Sequence, residues 1–99
     1  MPYMIYSVDK PDSTSIRDEH RAAHYAFLQR HAQRLIASGG LQDDRGESFI
    51  GSTILLDVET REEAQAFVDE DPFTKAGLAH SVVIARWKKA FLNGERVLP

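Results

Sequence analysis

Tyr3 to Val8 opens the chain with a run in which apolar residues occupy both alternating sets of positions. Tyr3 and Ile5 fall on one side, Met4, Tyr6 and Val8 on the other, and Asp9-Lys10-Pro11-Asp12 closes the run with turn chemistry. The pattern predicts a strand followed by a turn. The period then changes. Ile16, His20, Ala23, Phe27 and His31 recur at steps of three and four, with Leu28 alongside and Arg17, Asp18, Arg21 and Arg30 largely opposite. That spacing predicts an amphipathic helix, with Ser13 or Ser15 able to cap its start. Leu35 to Ser38 either extends this helix until Gly39-Gly40 ends it or forms a short second strand. Leu41 to Ser48 is polar and reads as an exposed connection.

Phe49 to Val58 is the next strand. Thr60-Arg61-Glu62-Glu63 has the form of a capping box, in which Thr and Glu side chains satisfy backbone donors at a helix start, so a second helix begins near Arg61. Ala64, Phe67 and Val68 form its buried stripe, and Pro72 pushes Asp71 out of helical geometry, which ends the helix there or restarts it as a short turn. His80 to Trp87 is the last strand, followed by a tail with an Asn93-Gly94 turn. The order β, α, β, β, α, β predicts an α+β, ferredoxin-like βαββαβ sandwich, with two helices on one face of a four-stranded antiparallel sheet. Residues 1–99 then make a single domain, with a core over about 1–91 and a C-terminal tail over 92–99.

One layer of helices covers one face of a sheet, yet the first strand is apolar on both faces. In the last strand Val82 and Ile84 likewise oppose Val83, Ala85 and Trp87. The expectation is that a second copy covers the other face and that the protein is a homodimer. The plainer alternative is an apolar cavity or scattered exposed hydrophobes.

Composition narrows the function. Twelve Lys and Arg against fifteen Asp and Glu leave a net charge of −3, which offers no electrostatic reason to bind nucleic acid or an anionic membrane. The absence of cysteine excludes disulfides, thiolate catalysis and Cys-type metal sites. Met1 to Lys10 lacks the pattern of a secretory signal and no run is long enough to span a bilayer, so the cytosol is the expected location.

The chemistry centres on His24 and Asp71. Side-by-side antiparallel helices bring the end of the second helix toward the first half of the first, so the two residues can be neighbours. A carboxylate against an imidazole fixes its tautomer and leaves the other ring nitrogen to move a proton. The competing description is a surface histidine and a helix-ending aspartate. His20, His24 and His31 invite a metal site, since His20 and His24 share a helix face and could reach one ion, but there is no HExxH arrangement, no third ligand is supplied locally and His31 lies two turns from His24, so amphipathic positions explain the spacing better. His80 reads as structural or exposed. Ser52 lacks the context of a nucleophile, so its hydroxyl suits holding a polar ligand. Ser38-Gly39-Gly40 is too short for a phosphate loop. Tyr6 could project toward a pocket, although a half-buried strand aromatic is the commoner arrangement.

Taken in order, Met4-Ile5-Tyr6 with Asp9-Lys10, Arg21-Ala22-Ala23-His24, Gly51-Ser52-Thr53, Glu63-Ala64-Gln65-Ala66, and Asp71-Pro72-Phe73 with Ala76-Gly77 make the chain resemble the YciI-like (YCII-related) family from about Met1 to Phe91. The resemblance implies a ferredoxin-like fold that dimerises into a dimeric α/β barrel-type assembly, with an active site on a His and an Asp that correspond to His24 and Asp71. Ala22 stands where a proline is common in the family, and the connection from Gln42 to Phe49 is short. The family is similar in fold to muconolactone isomerases and chlorinated-aromatic dehydrochlorinases. The resulting expectation is an enzyme that needs no cofactor and moves a proton in a small, cyclic or aromatic-derived substrate by lyase, isomerase or dehydrohalogenase chemistry. His24 is its acid or base, Asp71 orients it, and Ser52 and Tyr6 contact the ligand. Two other classes compete: a small-molecule-binding or regulatory module without chemistry, and a cofactor-free monooxygenase of the dimeric barrel type.

Overall fold

A computed structural model describes residues 2–99, so Met1 of the expected domain lies outside the described residues. Strand β1 (Tyr3–Asp9) is followed by helix α1 (Thr14–Arg30) and a 3₁₀ turn over Ala32–Arg34. Next come β2 (Leu35–Gln42), β3 (Phe49–Leu56), α2 (Arg61–Glu70), the one-turn α3 (Pro72–Lys75) and β4 (Ala79–Arg86). The sheet order is β2-β3-β1-β4, and every neighbouring pair is antiparallel. This is the α+β arrangement that the order of apolar runs predicts.

Several boundaries differ from the sequence expectation. Gly39 and Gly40 lie inside β2 instead of ending a segment, because pairing with Thr53 and Ser52 supplies the order that their own backbones lack. The exposed connection shrinks to residues 43–48, where Asp43 Oδ1 accepts from the Glu47 and Ser48 amides. The third strand ends at Leu56, although Val58 is buried just beyond it, and β4 is displaced by one residue to end at Arg86. The tail forms a hairpin of β5 (Phe91–Leu92) and β6 (Glu95–Arg96), turned by Asn93 and Gly94, both at positive φ.

Alternation decides the two faces of the sheet. Tyr3, Ile5, Ile54, Leu56 and Ile84 point toward the helices and join Phe27, Leu28, Ala64, Phe67 and Val68 in one core. Met4, Tyr6, Thr53, Leu55, Val83 and Ala85 point the other way, and among them Tyr6 is 39% and Val83 47% exposed. The outer face is therefore apolar and uncovered within one chain.

In α1 the buried positions are Arg17, His24, Phe27 and Leu28, whereas Ala23 is exposed. The sequence pattern assigns Arg17 to the polar face and Ala23 to the apolar one, and the packing reverses both. Ser13 occupies the N-cap position, but its hydroxyl donates to the Lys10 carbonyl at 2.6 Å and does not cap an amide of α1. The start of α2 does match the capping box: Thr60 Oγ1 accepts from the Glu63 amide at 3.2 Å and donates to Glu63 Oε1 at 3.1 Å. Thr60→Ala should destabilise the fold by about 1 kcal/mol, read from the midpoint of urea denaturation at unchanged slope. At the other end of the sheet the exposed Arg86 donates to the Tyr3 hydroxyl at 3.1 Å, and that hydrogen bond is first among the contacts that raise its pKa.

Candidate functional site

Asp71 sits where two short-range rules meet. The following Pro72 holds it extended (φ −65°, ψ 127°), which ends α2, and its carboxylate then caps α3 by accepting the Phe73 amide at 2.9 Å. The same oxygen, Oδ1, lies 2.8 Å from Nδ1 of His24. Both residues are buried, at 7% and 6% exposure. A carboxylate acceptor on Nδ1 selects the tautomer protonated there and leaves Nε2 with a free lone pair. The ring is held from its face as well, stacked on Phe73 with centroids 4.0 Å apart and planes 16° from parallel. Orientation and tautomer are thus set by two neighbours from a single turn of chain.

His24 lines a recess of about 120 Å³ between α1 and strands β2 and β3. On the helix side Arg17, Arg21, His24 and Leu28 repeat at steps of four, three and four, so they form one stripe along α1. On the sheet side stand Ser38, Ser52 and Ile54, with the backbones of Gly39 and Gly40 as a wall without side chains. At Gly40 a Cβ would lie 2.6 Å from the Phe49 ring, so any side chain there requires that ring to move. Ser52 Oγ shares a 2.8 Å hydrogen bond with Ser7 Oγ across the β1–β3 pair. No buried side-chain nitrogen or oxygen of the described residues lacks a partner. Nε2 of His24 has none among those residues, so it reaches open space.

The fold therefore brings His24, Asp71 and Ser52 to one place and leaves Tyr6 elsewhere. Tyr6 pairs with Thr53 and Val83 on the outer face, so within one chain its side chain is separated from the recess by the sheet. Within one chain Tyr6 therefore does not line the recess: strand parity places positions 5 and 7, not 6, on the helix side. The other histidines are engaged separately. His31 Nδ1 accepts from Arg34 at 2.9 Å and its ring packs on Phe27 and Phe67, while His20 lies 3.8 Å from Glu19. Among the described residues no three of His, Asp and Glu converge as metal ligands.

Arg17 is the site residue that the sequence pattern hides. Its Nε and Nη2 donate to the two oxygens of Asp9 at 2.8 and 3.0 Å, and Nη2 also donates to the Gly51 carbonyl at 3.1 Å. The guanidinium carbon lies 4.9 Å from the centroid of Phe73 and 5.1 Å from that of Phe49. A charge so placed is stable because its partners come from β1, β3 and α3 together, and none is within reach along α1 itself. Only the position of Arg17 one and two turns before Arg21 and His24 signals the shared stripe. Behind it a smaller hollow of about 30 Å³ is lined by Ser7, Asp9, Asp71 and Thr74.

Gly51 explains how β1 and β3 approach closely enough to hold this network. A Cβ there would lie 2.1 Å from the Ser7 carbonyl oxygen, a backbone atom that cannot swing aside. Gly51→Ala should cost about 3 kcal/mol or more, seen as a lower denaturation midpoint and as loss of order around Ser7 and Arg17 in amide exchange.

The chain thus presents a buried His-carboxylate pair opening on a small recess, on a four-stranded antiparallel sheet with helices on one face. The YCII-related domain matches residues 1–88, and the chain belongs to that family. It is 38% identical to Protein YciI of Escherichia coli over 98 residues, 92% of this chain and all of that one. It is 31% identical, with the same coverage, to an uncharacterized protein of Haemophilus influenzae. Among solved structures, 5-chloro-2-hydroxyhydroquinone dehydrochlorinase (TftG) of Burkholderia phenoliruptrix, in complex with 2,5-dihydroxybenzoquinone, aligns with a TM-score of 0.82 at 33% identity, over 89% of this chain and 94% of that one. No helix among the described residues is long and apolar enough to cross a membrane.

Proposed function

We propose that the protein is an enzyme of the lyase, isomerase or dehydrohalogenase type that moves a proton in a small cyclic organic substrate bound in the recess. The observation that carries this reading is the 2.8 Å contact between His24 Nδ1 and Asp71 Oδ1, which leaves Nε2 free at the recess. Nε2 accepts a proton from a carbon or hydroxyl of the substrate, and Asp71 holds the ring through the transfer. In an elimination the electron pair left behind forms the new π bond while the leaving group departs with its own pair. In an isomerisation the proton returns at another atom. Ser52 holds a polar group of the substrate. The likeness to a dehydrochlorinase supports the elimination branch.

The outer sheet face supports a homodimer. Two copies packed through Met4, Tyr6, Leu55, Val83 and Ala85 would bury the apolar surface that one chain leaves open. Tyr6 then belongs to the contact between copies.

The test is chloride release from 5-chloro-2-hydroxyhydroquinone by the wild type and by His24→Ala, with folding checked by circular dichroism. Turnover that is lost with the histidine supports the reading. Equal turnover by a folded His24→Ala overturns it.

A further inference from the structure

Charge and hydrogen bonding around the recess point to its ligand class. Arg17 carries five N–H groups, and the contacts to Asp9 and Gly51 use Nε and Nη2 only. Nη1, with two N–H groups, bonds to no described residue, although Arg17 is 6% exposed. Because no sealed side-chain nitrogen among those residues lacks a partner, Nη1 reaches open space, and the spaces that Arg17 lines are the recess and the hollow behind it. The two aromatic rings and Asp9 hold the guanidinium in place before any ligand arrives, so these donors need no reorganisation to bind.

Arg21 adds a second guanidinium to the same stripe, half-exposed, with one N–H committed to Asp18 at 2.8 Å. No carboxylate of the described residues lines the recess. The acidic partners stand outside it: Asp9 beside Arg17, Asp71 behind His24, and Asp18 in solvent. A ligand atom in the recess therefore meets arginine donors and the hydroxyls of serine and Tyr25, with the His24 imidazole on the same stripe of α1 as the two arginines.

Shape narrows the class further. One wall is the bare backbone of Gly39 and Gly40, and the facing surfaces include the rings of Tyr25 and Phe73. The volume of about 120 Å³ is close to the roughly 150 Å³ of a cavity that takes one benzene ring. We propose that the recess selects the ionised form of a small planar phenol or enol, its oxyanion held by Arg17 Nη1 and Arg21. This deepens the reading of the recess as the substrate site and rests on it. Arg17 and Arg21 are then specificity-determining residues, and the ring is presented to His24 already charged.

The test uses 4-nitrocatechol, whose ionised and neutral forms differ in colour. Selective binding of the anion lowers the pH at which the bound dye ionises. The wild type should lower that midpoint by about one pH unit, equivalent to about tenfold tighter binding of the anion. Arg21→Gln, a change at a half-exposed side chain, should at least halve the shift. Arg17→Lys keeps a charge but lacks Nη1, and should do the same if the variant folds. An unmoved midpoint with dye bound, no binding at millimolar dye, or a full shift in Arg21→Gln overturns the inference. Chloride-release turnover in a wild type that leaves the midpoint unmoved overturns anion selection alone. A shift without turnover on any phenol supports anion selection and overturns the proton-transfer reading.

Discussion

Turnover by His24→Ala is expected to fall by about 10²- to 10⁴-fold, the range lost when a positioned acid or base is removed. Alanine removes both the nitrogen committed to Asp71 and Nε2, which has no partner among the described residues. Asp71→Asn separates chemistry from position. An asparagine can turn either its oxygen or its NH₂ toward Nδ1, and the NH₂ selects the tautomer whose Nε2 carries the proton and cannot accept one. Turnover should fall about 10²-fold or more, and the ¹⁵N shifts of His24 should report a mixed tautomer population where the wild type has the Nδ1-protonated form. A variant that retains both the wild-type tautomer and wild-type turnover would remove Asp71 from the mechanism. Asp71 also caps α3, but asparagine caps about as well as aspartate, so the stability change that Asp71→Asn causes through that cap should stay under about 1 kcal/mol.

The second large effect concerns the ion pair behind the recess. Arg17 and Asp9 have side chains 8% and 7% exposed, joined through two hydrogen bonds. Asp9→Leu leaves the guanidinium without its counter-charge and should destabilise the fold by about 3 kcal/mol or more. Adding Arg17→Met removes the stranded charge, and most of that loss should be recovered, because a well-packed apolar pair often matches or exceeds a buried ion pair in stability. Denaturation midpoints of Asp9→Leu, Arg17→Met and the double variant form a cycle that checks it. Additive losses would mean that solvent reaches the pair freely. Recovery of stability in the double variant should come without recovery of ligand binding, since the Nη1 donors are gone. In that outcome the pair is kept for the recess and not for the fold.

How the site became readable differs from residue to residue. Asp71 was legible because its rule is local: a residue before proline leaves helical geometry, and an aspartate there caps the next turn. His24 was legible as an imidazole on a helix facing the core, and the antiparallel helix pair of a βαββαβ sandwich brings it near the end of α2. Ser52 was legible only as a hydroxyl without a nucleophile's context. The face on which Tyr6 lies was not legible, because a strand apolar on both faces does not declare which one the helices cover. Arg17 was hidden because helix periodicity scores it as polar, and its burial depends on Asp9, Gly51, Phe49 and Phe73, which come from other elements.

The first and last strands, the two main helices, the capping of α2, the break at Asp71 and the likeness to one family can all be read along the chain. These follow from contacts within a few residues or from periods along one segment, where the chain carries its own information. The strand and bare wall of Gly39 and Gly40, the close approach of the Ser7 backbone at Gly51 and the burial of Arg17 emerge only in three dimensions. Each of these depends on which groups from distant segments meet at one point. A charge or a glycine takes its meaning there from the solvent excluded and the partners supplied.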